Sequence, residues 1–143
     1  MSQQKPVFSE FTLFVRDMPA ALSFYRRLGI AVPKGSDDEI HVVAELPGGL
    51  SMSFDTIQLT KGYDPGWQEP TGGSRTLLQF KLSSREAVDE LFAELTEAGY
   101  TGHQAAFDAF WGSRYATIND PDGNLVGFQS PRDPARGGPP PGM

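Results

Sequence analysis

Cysteine is missing altogether from the 143 residues, which excludes disulfides, thiolate metal sites and cysteine nucleophiles together. Histidine is nearly as scarce, with only His41 and His103. Any chemistry must use oxygen, nitrogen or aromatic groups. Positive charge is also in short supply: 12 Lys and Arg against 18 Asp and Glu leave a net charge of −6, the wrong sign for coating a phosphate backbone. Nucleic acid is therefore not an expected partner, and a neutral or cationic small molecule is. No apolar run approaches the roughly 18 residues of a membrane span, and the opening MSQQKPVFSE lacks the apolar stretch of a signal peptide. A soluble, cytoplasmic protein with no membrane partner is expected. Gly-x-Ser-x-Gly, Walker and Rossmann glycine patterns are absent too, so nucleophile-elbow and nucleotide-binding readings have no support.

What is present suffices for one core, with 38% hydrophobic and 11% aromatic residues. The closing stretch PRDPARGGPPPGM, residues 131–143, holds five Pro and three Gly and cannot continue a helix or join a sheet interior. A single domain over residues 1–131 with a disordered tail over 132–143 is expected. Within that domain the same order occurs twice. FTLFVRD (11–17) reads as a strand, and MPAALSFYRRLG as a helix with Pro19 in its first turn and Gly29 as its stop. IHVVAEL (40–46) and LSMSFDTIQL (50–59) then form a hairpin across Pro47-Gly48-Gly49. In the second half LLQFKL (77–82) is a strand, and Ser83 with Glu86 suits a capping box for a helix through Ala98. Val88, Leu91, Phe92 and Leu95 give that helix one buried face, and Gly99 ends it. RYATIND (114–120) and NLVGFQS (124–130) close with a hairpin across Pro121-Asp122-Gly123. The modules span about 8–60 and 75–131, joined by a linker at 61–74. A strand, a crossover helix and a hairpin make a mixed sheet covered on one side only, so two modules pairing edge to edge would curve around a shared cleft.

The run FTLFVRDMPAALSFYRRLG resembles the opening of a vicinal oxygen chelate domain, and YATINDPDGNLVGFQSP, with its Asp-Pro-Asp-Gly-Asn turn, resembles the closing hairpin. The resemblance spans residues 8 to about 131. The superfamily includes glyoxalase I, extradiol dioxygenases, fosfomycin-modifying enzymes and antibiotic-binding proteins of the bleomycin-resistance type. It implies an α+β fold of two βαβββ modules, their curved mixed sheet around a cleft and their helices outside. It also implies a homodimer, often with exchanged modules. Metal-dependent members carry four His or Glu ligands, one on each of four cleft-facing strands. Matching positions are Glu10, Met52, Leu77 and Gly127, with Met52 obtained by aligning Leu50 on Leu125. One carboxylate cannot hold a divalent ion, and His41 and His103 fall elsewhere. Neither a metal nor another cofactor is expected.

Alternation along the strands then places Glu10, Thr12 and Phe14, Met52 and Phe54, and Leu77 with Gln79 in the cleft. Two aromatic loops adjoin it. The linker carries Tyr63 and Trp67, and AAFDAFWGSRY (105–115) carries Phe107, Phe110, Trp111 and Tyr115. These rings either stack on a planar ligand or fill the core or a dimer interface; Arg114 is a candidate for fixing ligand orientation. The resulting expectation is a metal-free protein of the bleomycin-resistance type that sequesters an aromatic antibiotic, with no catalytic residue assigned. Two alternatives remain: an enzyme acting in the same cleft, glyoxalase-like, dioxygenase-like, or a metal-free isomerase or lyase using Glu10 as acid or base, and an interaction module whose cleft its own side chains fill.

Overall fold

The computed structural model describes residues 4–142, and these divide into two compact units, 4–71 and 72–142. In unit 1, β1 (Glu10–Val15) leads into α1 (Met18–Arg27). The Asp17 carboxylate caps this helix by accepting from the Ala20 N–H at 3.1 Å. Gly29, at φ +87°, supplies the left-handed residue that ends it. After an irregular stretch come β2 (His41–Glu45) and β3 (Ser51–Thr56). The sheet order is β1-β3-β2, with β1 parallel and β2 antiparallel to β3. Thr56 turns the chain out of the sheet: its hydroxyl accepts from the Leu59 N–H, and α2 (Ile57–Tyr63) follows. The strand expected to run to residue 59 therefore stops three residues short.

Unit 2 carries the full βαβββ order. It contains β4 (Leu77–Lys81), α3 (Arg85–Glu97), β5 (Gly102–Asp108), β6 (Arg114–Asn119) and β7 (Leu125–Gln129). Its sheet order is β4-β7-β6-β5, with β4 parallel to β7 and the rest antiparallel. The helix cap is Ser84 rather than Ser83, accepting from the Ala87 N–H. Part of the stretch read as an aromatic loop is the bulged strand β5. The expected hairpin turn holds through Asp120, whose buried carboxylate accepts from the N–H groups of Asp122 and Asn124 and from the Asn124 side chain. Among the described residues no helix is long and apolar enough to cross a membrane.

Each helix covers one face of its own sheet. In unit 1, Leu22, Phe24 and Tyr25 of α1 are buried along with Val15, Val42, Ala44, Met52 and Phe54 of the sheet, all at most 3% exposed, with the Tyr25 and Phe54 rings 5.6 Å apart. In unit 2, Val88 and Leu95 of α3 bury with Ala116, Ile118, Val126 and Phe128. Pro134–Arg136 form a short 3-10 turn, the Asp133 N–H donates to the Gly112 carbonyl at 3.0 Å, and the Gly138 N–H donates to the Phe110 carbonyl at 2.7 Å. Gly112, at φ +99°, permits this approach, since a Cβ there would lie 2.4 Å from the Asp133 oxygen.

Candidate functional site

The uncovered face of each sheet follows from strand register. In unit 1, β3 residue Ser53 lies opposite Thr12 and Val43, with Ser51 opposite Glu10 and Glu45, and Asp55 opposite Phe14 and His41. Glu10, Thr12 and Phe14 thus share this face, and the Thr12 and Ser53 hydroxyls bond at 2.6 Å. Met52 and Phe54 do not: they lie opposite Phe11 and Leu13, at 1% and 0% exposure, packed beneath α1. The expected phase of β3 was one residue off, because Leu50 was matched to Leu125, whereas the two turns have equal length and Leu50 corresponds to Asn124. The position matching Gly127 is Ser53, not Met52, as Phe54 and Phe128 occupy matching buried places.

Asp55 is the centre of this face. Although 6% exposed, its carboxylate accepts from His41 Nδ1 at 2.5 Å and from the Tyr63 hydroxyl at 2.8 Å. That hydroxyl's pKa is raised, first by the bond to Asp55, which a phenolate could not make. With Nδ1 engaged, Nε2 is the His41 nitrogen left to solvent, on a ring whose side chain is 53% exposed. Beside the cluster lies a groove of about 520 Å³ lined by Ile40, Thr56, Gln58, Leu59, Gly62 and Tyr63. Trp67 takes a different place, its ring edge-on to Phe14 at 5.7 Å.

In unit 2 the uncovered face carries Leu77, Gln79 and Lys81 of β4, Leu125, Gly127 and Gln129 of β7, and Tyr115, Thr117 and Asn119 of β6. Trp111 stands over its end. The indole N–H donates to Gln129 Oε1 at 3.2 Å, and the ring is met edge-on by Phe110 at 5.1 Å and by Tyr115 at 5.2 Å, which Phe107 flanks in turn. Held on three sides, the indole is preorganised. It borders a pocket of about 580 Å³ whose other lining residues are Lys81, Leu82, Ser113, Gln129, Ser130, Pro131 and Arg132. Burial raises the Tyr115 pKa, so this hydroxyl stays neutral in the physiological range. Arg114 does not face this surface. It binds Asp89 of α3 and Asp108, tying β6 to its helix, so its charge is already engaged and the orienting role expected of it is not supported.

Metal chelation, which the resemblance brings into question, does not fit these residues. The four corresponding positions hold Glu10, Ser53, Leu77 and Gly127. At Gly127, where a glutamate would project, an added Cβ would meet the Tyr115 hydroxyl at 2.8 Å and Gln79 Oε1 at 3.2 Å. Those side chains cover the position. Among the described residues, no three of His, Asp or Glu come together as a metal cluster. His103 lies exposed on β5.

A family model described as the glyoxalase/bleomycin resistance protein/dioxygenase superfamily matches residues 7–128, and the chain belongs to that superfamily. Solved structures agree on the fold. A family enzyme from Burkholderia phytofirmans PsJN is similar at 24% identity, with 85% of this chain and 96% of that one covered and a TM-score of 0.73. A glyoxalase/bleomycin resistance protein/dioxygenase from Nocardioides shows 21% identity over 99% and 91% of the chains, at a TM-score of 0.70. A lactoylglutathione lyase from Agrobacterium tumefaciens shows 20% identity over 90% and 96%, at 0.62. At such identities the likeness concerns fold alone. Comparison with curated proteins gives no match.

Sequence reasoning missed two features of these faces. Pro131 and Arg132, assigned to the end of the domain and its tail, line the pocket beside Trp111. The His41 and Asp55 pair was hidden by the strand phase, although counting outward one residue at a time on each strand from Leu46 opposite Leu50 pairs them at the fifth step.

Proposed function

We propose that the chain is a metal-free small-molecule binding protein that sequesters a planar aromatic compound, of which an antibiotic is the leading case, in the manner of drug resistance or self-resistance. The observation that carries this reading is the unit 2 pocket. Its volume suits a drug-sized ligand, and it offers a fixed indole with mostly polar neighbours. Stacking on such a ring contributes on the order of 0.5 to 1.5 kcal/mol beyond area burial. The poor fit of Glu10, Ser53, Leu77 and Gly127 to a divalent ion supports the metal-free part. A homodimer, with or without exchanged modules, belongs to the same proposal; the exposure of Val7, Phe8, Leu77 and Phe110 supports it. The test uses Trp67→Phe protein, in which Trp111 is the remaining indole. Bleomycin-type glycopeptides and polyaromatic antibiotics should quench its fluorescence saturably and be recovered with unchanged mass. Absence of quenching by every compound, or recovery of a modified compound, would overturn sequestration. A tightly bound stoichiometric metal would overturn the metal-free part.

The His41, Asp55 and Tyr63 cluster favours a second reading, a metal-free enzyme moving a proton in unit 1. An imidazole oriented through Nδ1 by a buried carboxylate, with Nε2 open, is the arrangement a general base needs. Under this reading His41→Gln would abolish turnover of a small metabolite while leaving its binding intact. Equal turnover in the variant would remove it.

A further inference from the structure

The lining of the unit 2 pocket bears on the sign of its ligand's charge. Lys81 and Arg132 border the pocket, and none of the lining residues is acidic. Five arginines are seen paired with carboxylates: Arg16 with Glu69, Arg26 with Asp37, Arg85 with Asp108, Arg114 with Asp89 and Asp108, and Arg136 with Asp133. Arg132 instead donates its Nε–H to the Trp111 carbonyl at 2.8 Å. That bond ties the guanidinium to the backbone of the stacking residue and leaves its terminal N–H groups without a carboxylate. Lys81 likewise has no carboxylate partner among the described residues. It sits on β4 beside Gln129, the acceptor that holds the indole. A protein with a net charge of −6 has carboxylates to spare, yet supplies none to these two cations.

We propose that the pocket takes a planar aromatic anion, its ring on Trp111 and its oxyanion between Lys81 and Arg132. This rests on the reading of the pocket as a ring site and adds the class of molecule that fills it. A guanidinium presents paired N–H donors that match a carboxylate, sulfonate or phosphate, and a nearby ammonium adds a point charge. The overall negative charge does not cancel this, because charges beyond roughly 8 Å are largely screened at physiological ionic strength, whereas the two cations act at contact. The cationic ligand expected from composition thus gives way here to an anionic one.

Calorimetric titration of the full chain with 1-naphthoate, 1-naphthalenemethanol and 1-naphthylmethylammonium tests this, since the three share a ring system and differ in charge. Naphthoate should bind about tenfold or more tightly than the ammonium and weaken as salt is added. Lys81→Gln and Arg132→Gln should each weaken naphthoate about five- to tenfold and leave the alcohol unchanged, while Trp111→Ala should weaken all three. Equal or tighter binding of the ammonium, or indifference of naphthoate to both charge variants, overturns the anion inference and leaves the ring site standing. Binding by none of the three, or binding insensitive to Trp111→Ala, overturns the ring site and the inference with it.

Discussion

At matching places on their uncovered faces, unit 1 sets His41 opposite Asp55 and unit 2 sets Tyr115 opposite Gln129. In both, the residue on the last sheet strand accepts a hydrogen bond from an aromatic side chain elsewhere in its unit. Tyr63 donates to Asp55 at 2.8 Å, and Trp111 donates to Gln129 at 3.2 Å. One design thus exists in two versions, one around an anion and one around a neutral amide. The anion must be compensated, and it gathers an imidazole and a phenol into a titratable cluster. The amide needs no counter-charge, so its surroundings can be rings, and a pocket lies beside them. The duplicated backbone is held in common, and the charge of one acceptor separates ionisable chemistry from stacking.

The comparison is most exposed to failure in the core beneath it. If the modules correspond as their registers indicate, Phe54 and Phe128 are equivalent plugs, each at 0% exposure. Phe54→Ala and Phe128→Ala should each lower stability by about 3–5 kcal/mol in urea unfolding. Small loss from Phe54→Ala together with weakened ligand binding would mean that Phe54 faces a ligand after all, and the correspondence would break.

That correction shows which parts of the fold were legible. Pro19 in the first helical turn, Gly29 and Gly99 at the helix ends and the Asp120 turn act over four or five residues, so local chemistry displayed them. The phase of β3 was lost by matching the two leucines, Leu50 and Leu125, when Leu50 corresponds to Asn124 in a turn of equal length, and one residue of offset exchanges the two faces of a strand. Yet alternation held the answer, because Ser51, Ser53 and Asp55 are polar where Met52 and Phe54 are apolar. Strand β5 was masked by its bulges, and α2 by a Thr56 cap that nothing apolar announces. Of the candidate site, Trp111, Phe107 and Phe110 were visible as an aromatic cluster. Arg132 was not, since its place depends on contacts between the tail and Phe110, Trp111 and Gly112 that only the folded chain makes.

The charged and neutral versions can be told apart by titration. Tyr63 and Tyr115 both have raised pKa values, the first chiefly through its bond to Asp55 and the second through burial. A pKa raised on folding marks stability that is present below the unfolded value, near 10 for tyrosine, and lost as pH rises through the folded value. Asp55→Asn removes the anion, so the Tyr63 step in phenolate absorbance should move down while the Tyr115 step stays, with Tyr63→Phe assigning it. Loss of the charge-assisted bonds should cost roughly 1–2 kcal/mol at neutral pH. An unmoved Tyr63 step would mean that Asp55 does not organise unit 1 as Gln129 organises unit 2.

The smallest effect concerns a hydroxyl with no apparent use. Thr117 is 3% exposed, and its Oγ1 has no hydrogen-bond partner among the described residues, whereas Val43 holds the matching place in unit 1. An unsatisfied buried hydroxyl costs about 1 kcal/mol or more, and valine has nearly the same shape without that cost. Thr117→Val, which writes the residue of one unit into the other, should therefore raise stability by up to about 1 kcal/mol, or roughly 2–4 °C in the thermal midpoint. A fall of similar size would show that the hydroxyl is paired in solution by a water or ligand on the uncovered face. In that case Thr117 joins Gln79 and Tyr115 around Gly127, and the unit 2 surface has a hydroxyl in use where unit 1 has the apolar Val43.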